Sequence, residues 1–301
     1  MKPPNKFIIA FLAPALVLFI GFVAVPGARA FLYSIQKWDG LTEVEWVGLA
    51  NFRALFEDNL FLSALTNNVI LTVGAGSITL TLALFFAALM HRRIRGASLF
   101  RVAFFFPNVM AAVAVALLWS LLYSTTEFGV FNGMLSGVQW LFEAVGVSFM
   151  EDNLPFAFTD SKRLIVFLIP VLVWTATGFY MVLFLAAMQS IPEELYEAAH
   201  LDGATPSEQF KFVTLPLIRE VFIVGVVFFI ITSAKFFDAV WVIESQYPTP
   251  DSHVLATVLY QKVFTEYNVG YAAAVAVVLF ALVFVATLIT LTMSRKEALE
   301  Y

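Results

Sequence analysis

The chain contains no cysteine among its 301 residues. Disulfides, thiolate metal sites and cysteine nucleophiles are therefore excluded, although the redox compartment stays open. Charge is scarce as well, since Asp, Glu, Lys and Arg make up only 13% of the chain. The three histidines, His91, His200 and His253, are scattered and show no metal-ligand spacing. No Walker-type glycine-lysine loop occurs, so the chain is not expected to bind or hydrolyse ATP. No serine–histidine–aspartate arrangement and no pair of carboxylates inside an apolar run offers covalent chemistry. No basic patch with interleaved aromatics points to nucleic acid.

What the chain has instead is apolar surface: 61% hydrophobic residues, with 33 phenylalanines. Several runs approach the ~20 residues that a helix needs to cross a hydrocarbon core. They are continuously apolar rather than alternating, which disfavours a transmembrane barrel. The expected fold is an all-α integral membrane protein with six transmembrane helices and a two-helix cytoplasmic loop, forming one domain over residues 1–301. The spans are expected at about 7–25, 69–90, 102–123, 164–189, 221–242 and 271–293. The first run follows Lys2 and Lys6 and has a small-x-small site at Ala28-Arg29-Ala30, like a signal peptide. It is longer than a signal core of about 7–15 residues, so an uncleaved span is the better reading. Pro107-Asn108 falls inside the third run, where neighbouring helices or water satisfy the carbonyl that a proline frees. The long connection 124–163 carries Glu127, Glu143, Glu151, Asp152 and Asp160, and Trp140-Leu141-Phe142 reads as part of a short interfacial helix.

Basic residues set the orientation. With the amino terminus inside, the inner side holds Lys2, Lys6, Arg92, Arg93, Arg95, Arg101, Lys211, Arg219, Arg295 and Lys296, ten of the 17 lysines and arginines. The connection after the second span is short and very basic, as the positive-inside rule requires. An even number of spans then places both termini, and residues 190–219, in the cytoplasm.

That inner stretch, SIPEELYEAAHLDGATPSEQFKFVTLPLI at 190–218, is polar and full of helix punctuation. Ser190 and Glu193 read as a capping box, with Pro192 near the first helical position. Asp202-Gly203 marks the stop. Thr205-Pro206-Ser207-Glu208 repeats the start signal, and Pro216 limits or kinks the second helix. The spacing predicts two short helices around a glycine corner.

The same residues carry a resemblance. Glu197-Ala198-Ala199, Gly203 and Leu215-Pro216 are similar to the EAA loop of ABC-transporter importer permeases. Val47-Gly48-Leu49-Ala50-Asn51-Phe52, Gly129-Val130-Phe131-Asn132 with Leu135, and Asn268-Val269-Gly270-Tyr271-Ala272-Ala273-Ala274 resemble segments of the sugar permeases in that family. The turn-rich Tyr247-Pro248-Thr249-Pro250 departs from a region that is often glycine-rich there. The resemblance implies that Glu197, Ala198, Ala199, Asp202, Gly203, Leu215 and Pro216 couple the spans to an ATPase. It implies a second, similar permease as heterodimer partner, two ATP-binding subunits that use ATP and magnesium, an extracytoplasmic solute-binding protein, and a bacterial or archaeal inner membrane. This chain itself would hold no cofactor. The solute class implied is a sugar, with a polyol or glycerol phosphate as the alternative.

For the solute path the residues offer Asn108 in the third span, and Trp174, Thr175, Phe179 and Tyr180 in the fourth. The fifth adds Phe236, Asp238 and Trp241. Carboxylates, amides and hydroxyls hydrogen-bond sugar hydroxyls, and aromatic rings stack on sugar C–H faces. Each also has a plainer reading, because a polar group in a span more often packs against another helix. Lys235 and Asp238, three apart, are expected to share a helix face and pair. Charge is otherwise nearly absent within the spans, which argues against an ion-driven carrier.

Overall fold

The computed structural model of the chain describes residues 5–91, 96–143 and 154–294. Lys2, Arg92, Arg93, Arg95, Arg295 and Lys296 of the orientation count lie outside them, as do Glu151 and Asp152. In chain order, α1 (Asn5–Phe19), a π-helical turn (Ile20–Ala24) and α2 (Val25–Ser34) make one continuous helical run. A two-residue hairpin follows, β1 (Gln36–Lys37) against β2 (Glu45–Trp46), antiparallel with Gln36 opposite Trp46. Then come α3 (Ala50–Glu57), α4 (Asn59–His91), α5 (Ala97–Val109), α6 (Ala112–Leu122), α7 (Val130–Glu143) and α8 (Ser161–Gln189). The loop after α8 holds α9 (Glu193–Leu201), α10 (Pro206–Gln209), a second π turn (Phe210–Thr214) and α11 (Leu215–Leu217). The chain ends with α12 (Arg219–Ala234), α13 (Asp238–Ile243), α14 (Leu255–Phe264) and α15 (Val269–Ser294).

Five helical runs are long and apolar enough to cross a membrane: Phe11–Ser34, Asn59–His91, Ser161–Gln189, Arg219–Ile243 and Val269–Met293. A sixth is reached if α5 and α6 together form one span, but these two helices meet at 99°. The third span expected at 102–123 falls on this bent pair. Pro107 deprives the last turn of α5 of an amide donor, and Met110 and Ala111 are both extended (ψ 146° and 132°). The fifth span is interrupted too. Lys235 closes α12, Phe237 leaves helical geometry, and Asp238 opens α13. Lys235 and Asp238 are both exposed and make no ion pair among the described residues. Their expected pairing is corrected, because a helical i, i+3 spacing needs an unbroken helix. The acid instead sits in the first turn of α13, where a helix favours negative charge.

The chain falls into two compact units, one drawn from Met1–Leu62 and Val258–Leu282, the other from Ser63–Thr257 and Val283–Tyr301. In the first, the motif around Asn51 acts as a backbone clamp. The Asn51 side-chain amide donates to the Ser34 and Gln36 carbonyls (2.9 and 2.8 Å), joining the end of α2 to the hairpin. Asp39 accepts the amides of Thr42 and Leu41, which holds its carboxyl below the usual carboxylate range. The Tyr271 hydroxyl donates to Asp58 (2.7 Å), while Lys262 pairs with Glu266 (2.7 Å) and lies over the Tyr271 ring. Most apolar side chains of α1 from Phe11 onward are exposed, as suits a helix solvated by lipid.

The second unit has two cores. One gathers Leu71, Val115, Trp119, Leu164, Leu168 and Val240, where α6 packs on α13. The other gathers Ala83, Ala87, Met181, Phe184, Met188 and Phe229. Asn132 is a second motif clamp: it donates to the Ser124 and Phe156 carbonyls and accepts the Phe156 amide (2.7 Å). A third clamp has no motif. Asn67, buried in α4, donates to the carbonyls of Asp251 and His253, both at 2.8 Å. Asn67→Asp keeps the shape but removes both donations, and the low local dielectric makes stranded carbonyls costly. We expect a loss of about 2 kcal/mol, read as a lower thermal midpoint in detergent. An unchanged midpoint would show that other contacts hold residues 249–255.

Candidate functional site

The punctuated loop at 190–218 folds as two short arms. Its first arm is entered differently from expectation. Ser190 is the closing residue of α8, and its hydroxyl donates to the Ala187 carbonyl (2.7 Å), so no capping box forms with Glu193. Pro192 precedes α9 with no side-chain cap, and the acids Glu193 and Glu194 fill the first turn instead. The stop at Asp202-Gly203 is as expected. Gly203 has φ +86°, its amide bonds His200 (3.0 Å), and the Ala204 amide reaches back to Ala199 (2.9 Å). Those two bonds make a Schellman motif, which requires a left-handed residue at this place.

The second arm begins with a complete capping box. Thr205 accepts the Glu208 amide, and Glu208 accepts the Thr205 amide (2.7 Å). Thr205 hydrogen bonds hold the Glu208 carboxyl below its usual range. Pro216 is accommodated by the π turn before it: the Leu215 amide bonds Phe210, five residues back. The wider turn relieves the clash that a proline ring makes with the carbonyl four residues earlier. Two contacts tie the arms together, Tyr196 hydroxyl to Thr214 hydroxyl (3.0 Å) and the Gln209 amide to the Tyr196 carbonyl (3.5 Å). Ile218 is buried at the entry to α12, and Arg219 donates to the Met293 carbonyl (3.4 Å) at the end of α15.

The arm faces away from the chain on one side. Glu194, Glu197, Ala198 and Leu201 follow the i, i+3, i+4, i+7 pattern of one helix face, and all four are exposed. Leu201 is 87% exposed and Phe212 on the second arm 66%, while Ala199 is half-buried. Asp202, Leu215 and Pro216 are exposed as well.

Most of the solute-path residues make packing contacts of their own. Asn108 is exposed near the end of α5. Trp174 meets Trp119 edge-on at 6.0 Å, beside a buried Trp119 Nε1 with no partner among the described residues. Thr175 spends its hydroxyl on the Val171 and Leu172 carbonyls. Phe179 stacks on Phe228 (5.6 Å), and Tyr180 is buried in the second core. Phe236 packs against the first core, Trp241 stacks on Phe237 (5.3 Å), and Asp238 is exposed. Sequence reasoning gave no special place to Trp119, nor to the Tyr196–Thr214 link. Gly178 is where α8 touches the backbone of α5, and a Cβ there would overlap the Phe104 carbonyl. Only a glycine inside an apolar span hinted at that approach. Among the described residues no cluster of His, Cys, Asp or Glu could hold a metal ion.

The family described as binding-protein-dependent transport system inner membrane component matches residues 79–297. A probable ABC transporter permease of Pyrococcus horikoshii is 32% identical, over 98% of this chain and 98% of its own length. The permease protein of a diacetylchitobiose uptake system in Streptomyces coelicolor is 33% identical, over 96% of this chain and 82% of its own. Among solved structures, a chain of a bacterial ABC transporter involved in the import of the acidic polysaccharide alginate matches with a TM-score of 0.77. It is 22% identical and covers 97% of this chain and 96% of that one, a likeness of fold.

Proposed function

The chain belongs to the family of binding-protein-dependent transport system inner membrane components, and from that premise we propose that it is a permease subunit of an ATP-driven sugar importer. It acts as one permease domain and shares the translocation path with a second permease. An extracytoplasmic binding protein delivers the solute, and two ATPase subunits use ATP and magnesium; this chain performs no covalent chemistry and holds no cofactor. Both termini and the 190–218 loop face the cytoplasm. Sugar as the solute class is supported by relatives named for diacetylchitobiose, lactose, trehalose/maltose and multiple-sugar uptake.

The observation that carries the reading is the exposed stripe Glu194, Glu197, Ala198 and Leu201 on an arm that is otherwise internally bonded. A loop held this firmly transmits displacement rather than absorbing it. A push on α9 passes through the glycine corner and the Tyr196–Thr214 link into the π turn, α11 and α12. It also pulls on α8, whose end leads directly into the arm. Glu197 offers a charge-assisted contact at the rim, and Ala198 lets a partner approach closely.

The absence of cysteine makes a clean test. Leu201→Cys gives a single thiol on the stripe. It should react with an impermeant maleimide only from the cytoplasmic side, and at least about tenfold more slowly once the ATPase subunits are bound, as expected when a contact worth ~1.4 kcal/mol covers it. Labelling from outside, or a rate indifferent to the ATPases, would remove the coupling role. Uptake of a panel of labelled oligosaccharides by the reconstituted importer then identifies the solute.

A further inference from the structure

Behind the coupling arms the second unit has a partly open cavity of about 1000 Å³. The last turns of α4 and α8, the first turns of α5 and α9, and residues of the 206–214 segment line it. Its chemistry is divided. The α4 wall is apolar, with Leu84, Phe85, Ala88 and Leu89 along it, Phe85 55% exposed. The facing wall carries Arg101, one turn into α5, and Ala97 at that helix's start. No side chain caps the first amides of α5.

Arg101 is the unusual member. Its Nε is buried, and no described residue gives the guanidinium a hydrogen bond or ion pair. Buried polar groups are almost always satisfied, and a guanidinium has five donors and no acceptor. The acid in the lining, Glu193, forms no ion pair with Arg101. No described residue supplies an acceptor for Arg101, and an anionic group bound in the cavity would supply one. The cavity lies where α4 and α8 end, which is the level of the lipid headgroups for helices that span a bilayer. An occupant that satisfies both walls has an anionic oxygen-rich head and an apolar tail.

We propose that this cavity binds one anionic phospholipid, its phosphate on Arg101 and the α5 amides, and an acyl chain along Phe85 and Leu89. The inference rests on the membrane reading only in taking α4 and α8 as spans, and not on the solute or the orientation. Guanidinium and helix amides together suit a phosphate oxyanion, which accepts several donors at once. Tyr196, Gln209 and Thr214 also line the cavity, and these are the residues that tie the two arms together. The lipid thus supports the coupling loop from its membrane side, and anionic lipid content sets how stiffly the loop is held.

The test uses the purified, delipidated importer and native mass spectrometry with dioleoyl phosphatidylglycerol or phosphatidylcholine. The wild type should retain one phosphatidylglycerol, favoured at least about fivefold over phosphatidylcholine, as one basic contact near the surface gives. Arg101→Gln should lose that preference. Ala88→Trp fills the apolar wall with Arg101 intact, and should lose the bound lipid itself. Should Arg101→Gln fail to accumulate, the Ala88→Trp comparison decides alone. Equal retention of both lipids by the wild type, or retention by Ala88→Trp equal to wild type, overturns the proposal. If millimolar inorganic phosphate displaces the lipid or stabilises the importer as well as phosphatidylglycerol does, the site is one for free phosphate and the lipid assignment is wrong. None of these readouts uses solute uptake or loop labelling, so failure here leaves the importer reading standing on its own test.

Discussion

Gly203→Val should leave the permease folded in the membrane yet lower ATP-driven uptake by about tenfold or more. Gly203 sits at φ +86° with open space where a Cβ would project, so a side chain meets no neighbour. The cost is confined to the backbone. A left-handed conformation costs an ordinary residue roughly 1–2 kcal/mol, and more when it is β-branched. The cheapest relief is to abandon the corner, which breaks the Gly203–His200 and Ala204–Ala199 bonds and changes the angle between the arms. Since ~1.4 kcal/mol corresponds to a factor of ten, a corner populated a tenth of the time transmits a tenth of the strokes. Gly203→Asn is the control, because asparagine visits this conformation readily, and it should retain most activity. Uptake in proteoliposomes, measured beside the ATPase rate, reads the effect. If the valine variant imports as fast as wild type, the corner does not carry the coupling.

Gly178→Val is expected to act on the fold itself. A Cβ at Gly178 would overlap the Phe104 carbonyl and lie 2.7 Å from the Phe105 nitrogen. These are backbone atoms of α5, which cannot rotate away as a side chain could. Either α5 leaves α8 or both helices distort, and overpacking of this kind costs about 3 kcal/mol or more. The separation would reach the α5 side of the lipid cavity as well as the turn into α6. The variant should show a clearly lower thermal midpoint and a smaller monodisperse fraction in detergent. Gly133→Ala, with nothing within 4 Å of the added carbon, should behave like wild type. A Gly178→Val protein as stable as the parent would mean that α5 does not pack against α8 so closely.

The loop was legible because its signals are local. The Thr205–Glu208 box and the glycine stop act over three or four residues, and both form as the spacing predicts. The Ser190 signal was equally good in sequence, but its hydroxyl faced two choices. Closing α8 on the Ala187 carbonyl won over opening α9. The motif asparagines were visible as motifs while their work was not. Asn51 and Asn132 hold backbone carbonyls 15 or more and 8 to 24 residues away, and no local spacing states that. Asn67 does the same across 184 and 186 residues without any motif.

By itself, the sequence determined that the chain is an all-α membrane protein and roughly where its helices cross, and it raised the expectation of no ATP site and no catalysis. These follow from apolar run length and from missing residue types, which no tertiary contact can change. Tertiary structure alone decided that α5 and α6 meet at 99°, that Lys235 and Asp238 part, and that α8 needs glycine at 178. It alone left the Arg101 Nε buried without an acceptor among the described residues, beside a cavity at the ends of α4 and α8. Each of those depends on which distant backbone or side chain comes to lie opposite. That is set by how helices pack, and helix packing is not written in the period of any one of them.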